Sequence, residues 1–157
     1  MKIIIDADAL PSGIKDILFR ASERNGIPLI LVANKELKFP ESPYISARVV
    51  PAGPDEADDH IAELVTAGDL VITGDIPLAD RVVTRKGFVI DPRGGLYTED
   101  NIKERLSLRD LLDNLRSSGI HTGGPSAFTV RDRHAFAAQL DRFLTKHKIS
   151  LNKNAPL

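Results

Sequence analysis

The strongest constraint on the fold of this chain is the alternation of short apolar runs with segments of helical periodicity. The apolar runs lie at residues 2–6, 28–33, 45–50, 70–73 and 88–90. Runs of this length that are rich in Ile, Val and Leu are typical of strands covered on both faces. Because helical segments separate most of them, the pattern predicts an α/β fold built around a parallel sheet.

The segments between and after these runs predict the helices. Glycines end three of them, so we expect helices at residues 12–25, 55–67 and 78–86. Thr98 or Ser107 is a candidate cap for a later helix. A final amphipathic helix is predicted at about residues 130–146, with its apolar side formed by Phe136, Leu140, Phe143 and Leu144. We expect one domain at residues 1–149 and a flexible tail at 150–157.

Composition excludes several classes of protein. No stretch approaches the roughly 20 apolar residues of a membrane span, and the first residues lack the pattern of a signal peptide, so we expect a cytoplasmic protein. The chain contains no Cys and its 4 His share no ligand spacing. Disulfides, thiolate nucleophiles and Cys-based zinc sites are therefore excluded. A metal in this protein would be bound by oxygen atoms.

Charge is distributed unevenly along the chain. Residues 1–80 carry a net charge of −7 and residues 81–157 a net charge of +6. An acidic metal pocket beside a basic surface that meets phosphates would give this asymmetry. A chance distribution over a solvated surface explains it equally well.

Carboxylates lie at three places in the sequence where a predicted strand ends or a predicted helix begins. Asp6 and Asp8 follow the first strand, Asp58 lies near the start of the second helix, and Asp75 follows the fourth strand. In open α/β sheets, ligands bind beyond the carboxyl ends of the strands. Three acids that are distant in sequence are therefore expected to converge at one edge of the sheet.

Helical geometry separates Asp58 from its acidic neighbours. At 100° per residue, Asp58 falls within the apolar arc that contains Ile61 and Val65, whereas Asp59 lies on the polar side. Simple capping explains Asp55 and Glu56, since acids are favoured in the first turn. Because an unpaired buried charge costs several kcal/mol, an inward Asp58 needs a partner.

Clustered carboxylates without Cys suit Mg²⁺ or Mn²⁺, which prefer oxygen ligands. Such ions orient a water nucleophile and neutralise a phosphoryl group, so hydrolysis of a phosphodiester is the predicted reaction. We expect Asp6, Asp58 and Asp75 to be catalytic. Arg81, Arg93 and Ser126 are candidates for contacts with substrate phosphates, although helix ends and turns also explain them.

Five ordered motifs between residues 2 and 143 resemble those of the bacterial YaiI/YqxD family, an uncharacterised group regarded as PIN-like. They are "DADALP", "GPDEADDHI", "TGDIPLADRV", "DPRGGLYTEDNI" and "GGPSAFTVRDRHAFAAQLD". In such families a Cys-Pro pair often follows the first acids, and here Leu10 stands in place of that Cys. A thiol at this position is therefore not essential to the chemistry of this chain.

The resemblance implies a PIN-like three-layer sandwich, with a mostly parallel central sheet and extra C-terminal helices. This is the fold of Mg²⁺- or Mn²⁺-dependent ribonucleases, so RNA is the favoured partner. It also implies the set of metal-binding acids, with the role of Asp80 left open. That set is Asp6, Asp8, Asp58, Asp59 and Asp75.

Two other functions remain open at the level of sequence. The strand ending in Asp6 and Asp8, with Asp75 and Asp80 later, is also similar to haloacid-dehalogenase phosphatases, in which Asp6 would be a nucleophile. That hypothesis gives the "DEADDHI" segment no role. The chain could also be a non-catalytic module whose Arg and Lys side chains bind RNA, because fold does not decide function.

Overall fold

A computed structural model describes residues 1–120 and 127–154, with side chains as far as residue 147. In these ranges there are six strands: β1 (Ile3–Asp6), β2 (Leu29–Ala33), β3 (Ile45–Val49), β4 (Leu70–Ile72), β5 (Phe88–Ile90) and β6 (Leu96–Tyr97). There are also five α-helices: α1 (Ile14–Asn25), α2 (Glu56–Leu64), α3 (Ile76–Thr84), α4 (Ile102–Ser117) and α5 (Val130–Asn154). A short 3₁₀ turn at Ala7–Ala9 follows β1.

The six strands form one sheet in the order β3-β2-β1-β4-β5-β6. The first five strands are parallel, and β6 is antiparallel to β5. In register, Ile5 of β1 pairs with Leu31 of β2 and Ile72 of β4. The predicted parallel sheet is thus confirmed, and the chain changes direction across the sheet between β1 and β4.

Helices cover both faces of the sheet. Ile3 and Ile5 pack in a core with residues of α1 and α5, whereas Ile4 packs in a second core with residues of α2, α3 and the start of α4. Because successive side chains of a strand point to opposite faces, one continuous apolar run serves both cores. The result is the predicted three-layer α/β sandwich. The four apolar residues predicted to face inward from α5 are buried: Phe136, Leu140, Phe143 and Leu144.

Several predicted helix boundaries were wrong. Neither Thr98 nor Ser107 caps α4, since the helix begins after Asn101 and contains Ser107. The Asn101 side chain accepts a hydrogen bond from the backbone N–H of Thr98 and donates one to the carbonyl of Leu96, which ties the helix start to β6. The last helix extends to Asn154, beyond the predicted end at residue 146. Within the described part of the chain, no helix is both long and apolar enough to span a membrane.

We expect Gly94→Ala to destabilise the protein by about 3 kcal/mol or more. Gly94 has φ +95°, and a Cβ there would lie 2.8 Å from the backbone carbonyl carbon and oxygen of Ala135 in α5. Gly68→Ala is the matched control, because Gly68 has φ +88° and no atom within 4 Å of its added Cβ. Gly68→Ala should lower the free energy of unfolding by only about 1–2 kcal/mol, the cost of placing Ala in a left-handed backbone conformation. Equal losses in urea denaturation would show that α5 does not pack tightly on this turn.

Candidate functional site

The carboxyl ends of β1 and β4 meet at the point where the strand order reverses. Asp6 is the last residue of β1, and Thr73 directly follows β4; both are buried. The Thr73 hydroxyl hydrogen-bonds the Asp6 carboxylate and also accepts the backbone N–H of Asp75 at 3.1 Å. In sheets of this kind, the crevice at such a reversal is the usual ligand site. Thr73 therefore ties two of the predicted catalytic acids together in that crevice.

Asp75 has a local structural role as well. It is the N-cap of α3, and its carboxylate accepts the backbone N–H of Leu78 at 3.0 Å. Pro77 lies in the first turn of the helix, where its missing N–H costs no hydrogen bond. The helix therefore begins at Ile76, two residues before the predicted start, and fixes Asp75 beside the end of β4.

The first turn of α2 presents Asp58 and Asp59 in different surroundings. Asp58 is half-buried, whereas Asp59 is exposed and forms an ion pair with Arg81 at 2.8 Å. This difference is the one expected from their angular positions on the helix. Asp55 occupies the predicted N-cap position, but it has φ 66° and its side chain makes no capping hydrogen bond. The prediction that Asp55 acts as a simple cap was therefore wrong.

Electrostatic coupling shows which acids the fold brings together. Burial and, to a smaller extent, the charges of Asp58, Asp8 and Asp75 together raise the pKa of Asp6 from 3.8 to about 6, while the hydrogen bond from Thr73 opposes them. Burial also raises the pKa of Asp58, and the charges of Asp75, Asp55 and Asp59 add to this effect, while Arg81 opposes it. Carboxylates from the ends of β1 and β4 and from α2 thus share one electrostatic environment.

Asp8 lies in the 3₁₀ turn after β1 and is exposed. Its carboxylate accepts the backbone N–H of Asn34 at 2.7 Å, so it links the loop after β1 to the loop after β2. Asn34 is a feature of the site that sequence reasoning missed. Nothing in the local pattern points to it, because the contact depends on the pairing of β1 with β2.

Two of the remaining candidate residues, Asp80 and Arg93, form ion pairs with residues outside this cluster of acids. Asp80 forms an ion pair with Lys103 of α4 at 2.8 Å. Arg93 forms an ion pair with Asp132 at the start of α5, also at 2.8 Å. Arg81 is the predicted basic residue that the fold places against the acids, through its contact with Asp59. Ser126 lies outside the described residues.

The donor chemistry of the edge suits a hard divalent cation. The acidic cluster, which we define as Asp6, Asp8, Asp58 and Asp75, offers only carboxylate oxygens, with the Thr73 hydroxyl beside them. As the side chains stand, no group of three or more His, Cys, Asp or Glu among the described residues is arranged to hold a metal ion. A complete ligand set would therefore require these carboxylates to turn toward one another.

The fold and the acidic edge together define an α/β sandwich with a carboxylate site at the reversal of the strand order. Within that class, the chain belongs to the YaiI/YqxD family, described as uncharacterised, whose model matches residues 4–146. The resemblance deduced from the five motifs is thus confirmed.

Relatives of similar length support this assignment. A UPF0178 protein of Syntrophotalea carbinolica is 56% identical over 147 residues, which cover 94% of this chain and 99% of that protein. A UPF0178 protein of Shewanella pealeana is 53% identical over 151 residues, which cover 96% of this chain and 100% of the relative. No solved structure matches the chain.

Proposed function

We propose that this protein is a divalent-metal-dependent nuclease that hydrolyses phosphodiester bonds, with RNA as the favoured substrate. The observation that carries the proposal is the convergence of the acidic cluster at the reversal of the strand order, where Asp6 is buried among like charges. Such an arrangement destabilises the free protein, because the ionised Asp6 carboxylate is removed from water and lies near the like charges of Asp58, Asp8 and Asp75. A bound cation would offset that cost.

Asp6, Asp58 and Asp75 would hold the cation, with Asp8 at the exposed side of the site. Mg²⁺ or Mn²⁺, when bound, would supply Lewis acidity and lower the pKa of a water molecule. Asp59 is exposed and paired with Arg81, so we do not include it among the metal ligands. This is a narrower set than the five acids that the family resemblance implies.

Residues of the chain itself supply the remaining functions. The pKa of Asp6 is raised to about 6 in the protein without metal, so Asp6 would give up its proton when the cation binds and metal affinity should rise with pH. The Thr73 hydroxyl fixes the orientation of Asp6 through its hydrogen bond. Arg81 lies beside Asp58 and Asp59 and presents a guanidinium, which binds phosphate oxygens well.

The test is cleavage of end-labelled single-stranded RNA by the purified protein with Mn²⁺, Mg²⁺ or EDTA. We expect metal-dependent cleavage that falls by about 100-fold or more in Asp58→Asn, because a ligand of the reacting unit is lost. Asp59→Asn is the matched control: it is the same chemical change one residue away, on an exposed side chain, and should retain activity within about tenfold. Equal losses in the two variants would remove Asp58 from its proposed role.

Two further measurements, of RNA binding and of phosphate release from a monoester, separate the other two functions. RNA binding without cleavage under any metal would favour the non-catalytic RNA-binding module. Release of phosphate from a small monoester, with a phosphorylated Asp6 trapped on the protein, would favour the haloacid-dehalogenase mechanism. Either result would contradict the proposed nuclease.

A further inference from the structure

The carboxyl edge of the sheet also carries basic residues, and the start of α5 positions them. Thr129 and Asp132 cap this helix reciprocally: the backbone N–H of Asp132 donates to the Thr129 hydroxyl, and that of Thr129 donates to the Asp132 carboxylate. Asp132 also pairs with Arg93, and Gly94 packs on the backbone of Ala135. The first turn of α5 is therefore fixed against the loop that follows β5.

From this fixed turn, Arg133 reaches across to the loop that follows β1. A Cβ added to Gly13 would lie 3.0 Å from Cδ and 3.1 Å from Nη1 of Arg133. Gly13 is the residue before α1, in the loop that begins with Asp6 and Asp8. The Arg133 side chain thus lies against the same loop that carries the acids of the site, on the α1 and α5 side of the sheet.

The guanidinium of Arg133 lacks a partner within the described part of the chain. Its side chain forms no ion pair and no hydrogen bond there, although the residue is half-buried. Five N–H donors in a fixed plane normally bind carboxylate or phosphate oxygens. The guanidinium also lies near the N-terminus of α1, where the positive end of the helix dipole disfavours a cation when no anion is bound. An anionic ligand would remove both costs.

We propose that Arg133 binds a backbone phosphate of an oligonucleotide whose neighbouring phosphodiester lies at the acidic cluster. This proposal rests on the proposed nuclease function, and it adds a second contact with the substrate, at a phosphate next to the bond that is cleaved. The carboxylates repel a polyanion such as an oligonucleotide, so a positively charged side chain beside the site is needed to hold the oligonucleotide there. Arg133 belongs to α5, which packs on the face of the sheet opposite α2, the helix that carries Asp58.

Binding of a labelled single-stranded RNA oligonucleotide, followed by fluorescence anisotropy in EDTA and in Ca²⁺, tests this proposal without requiring cleavage. We expect Arg133→Gln to weaken binding by about tenfold and to reduce the slope of log affinity against log salt by about 0.7, the value for one phosphate contact on a single strand. Arg133→Lys should restore the slope, because it keeps the charge. Arg131→Gln, an exposed neighbour on the same turn, should change affinity less than twofold.

The outcomes separate this proposal from the proposed function. Wild-type affinity and slope in Arg133→Gln, or no RNA binding by the wild-type protein, would overturn it. Hydrolysis of bis(p-nitrophenyl) phosphate by the wild-type protein with Mn²⁺ tests the nuclease function alone. If that hydrolysis is absent while Arg133→Gln still weakens RNA binding, the nuclease function fails and the phosphate contact stands.

Discussion

Asp6→Asn is expected to abolish metal-dependent hydrolysis and, in the absence of metal, to stabilise the protein at pH 8 by up to about 3 kcal/mol. The reason is that Asp6 is buried beside three other carboxylates, so that its ionised form is disfavoured in the folded state. Asparagine has nearly the same shape, accepts the hydrogen bond from Thr73 and carries no charge. A residue that destabilises the fold while it supports activity is typical of a functional site.

The pH dependence of this effect has a definite sign. The pKa of Asp6 has its ordinary value of 3.8 in the unfolded protein and is about 6 in the folded protein. Between pH 3.8 and pH 6 the folded state therefore binds more protons than the unfolded state. Stability of the wild-type protein therefore falls as the pH rises from about 4 to about 6. The 3 kcal/mol follows from this difference at about 1.4 kcal/mol for each pH unit. Asp58, whose pKa is also raised, acts in the same direction.

Urea denaturation of the wild-type protein and Asp6→Asn in EDTA, between pH 4 and pH 8, measures the effect. The difference in free energy of unfolding should be near zero at pH 4 and largest at pH 8. Asp8→Asn is the control, because Asp8 is exposed and should give a smaller gain. A variant that is less stable than the wild-type protein at pH 8 would mean that Asp6 is ionised without cost, and the electrostatic account of the site would fail.

The sequence predicted the parts of this molecule that depend on local pattern. The continuous run of Ile3, Ile4 and Ile5 requires a strand covered on both faces, and the structure places helices on both sides of it. The position of Asp58 on its helix predicted its partial burial, because helical geometry alone fixes which residues share a face. Convergence at the carboxyl edge followed from parallel pairing.

The features that the sequence did not reveal depend on contacts between distant residues. Strand β6 has only two residues and exists because the turn at Gly94 and Gly95 folds it back on β5. The pairing of Arg81 with Asp59 and the approach of Arg133 to Gly13 require the packing of whole helices. Asp55 has the residue type of a cap, yet its backbone conformation prevents the capping hydrogen bond.

Adding excess Mn²⁺ at pH 8 is expected to raise the free energy of unfolding of the wild-type protein by about 3 kcal/mol. A cation at 100 times its dissociation constant stabilises the folded state by about 2.7 kcal/mol if it does not bind the unfolded chain. It also removes the repulsion among Asp6, Asp58 and Asp75, so the fall in stability between pH 4 and pH 6 should shrink or disappear. The stability gained from the metal and the stability gained in Asp6→Asn have the same electrostatic source and should not add.

Thermal and urea denaturation of both proteins, with Mn²⁺ and with NaCl at the same ionic strength, checks this expectation. NaCl should give less than a third of the effect, since screening acts weakly on buried groups. Mn²⁺ should stabilise Asp6→Asn by less than about 1 kcal/mol, because a central ligand is missing. If the two salts stabilise the wild-type protein equally, or if Mn²⁺ stabilises both proteins equally, Mn²⁺ acts on the general surface charge. The edge formed by the ends of β1 and β4 would then hold no specific cation site.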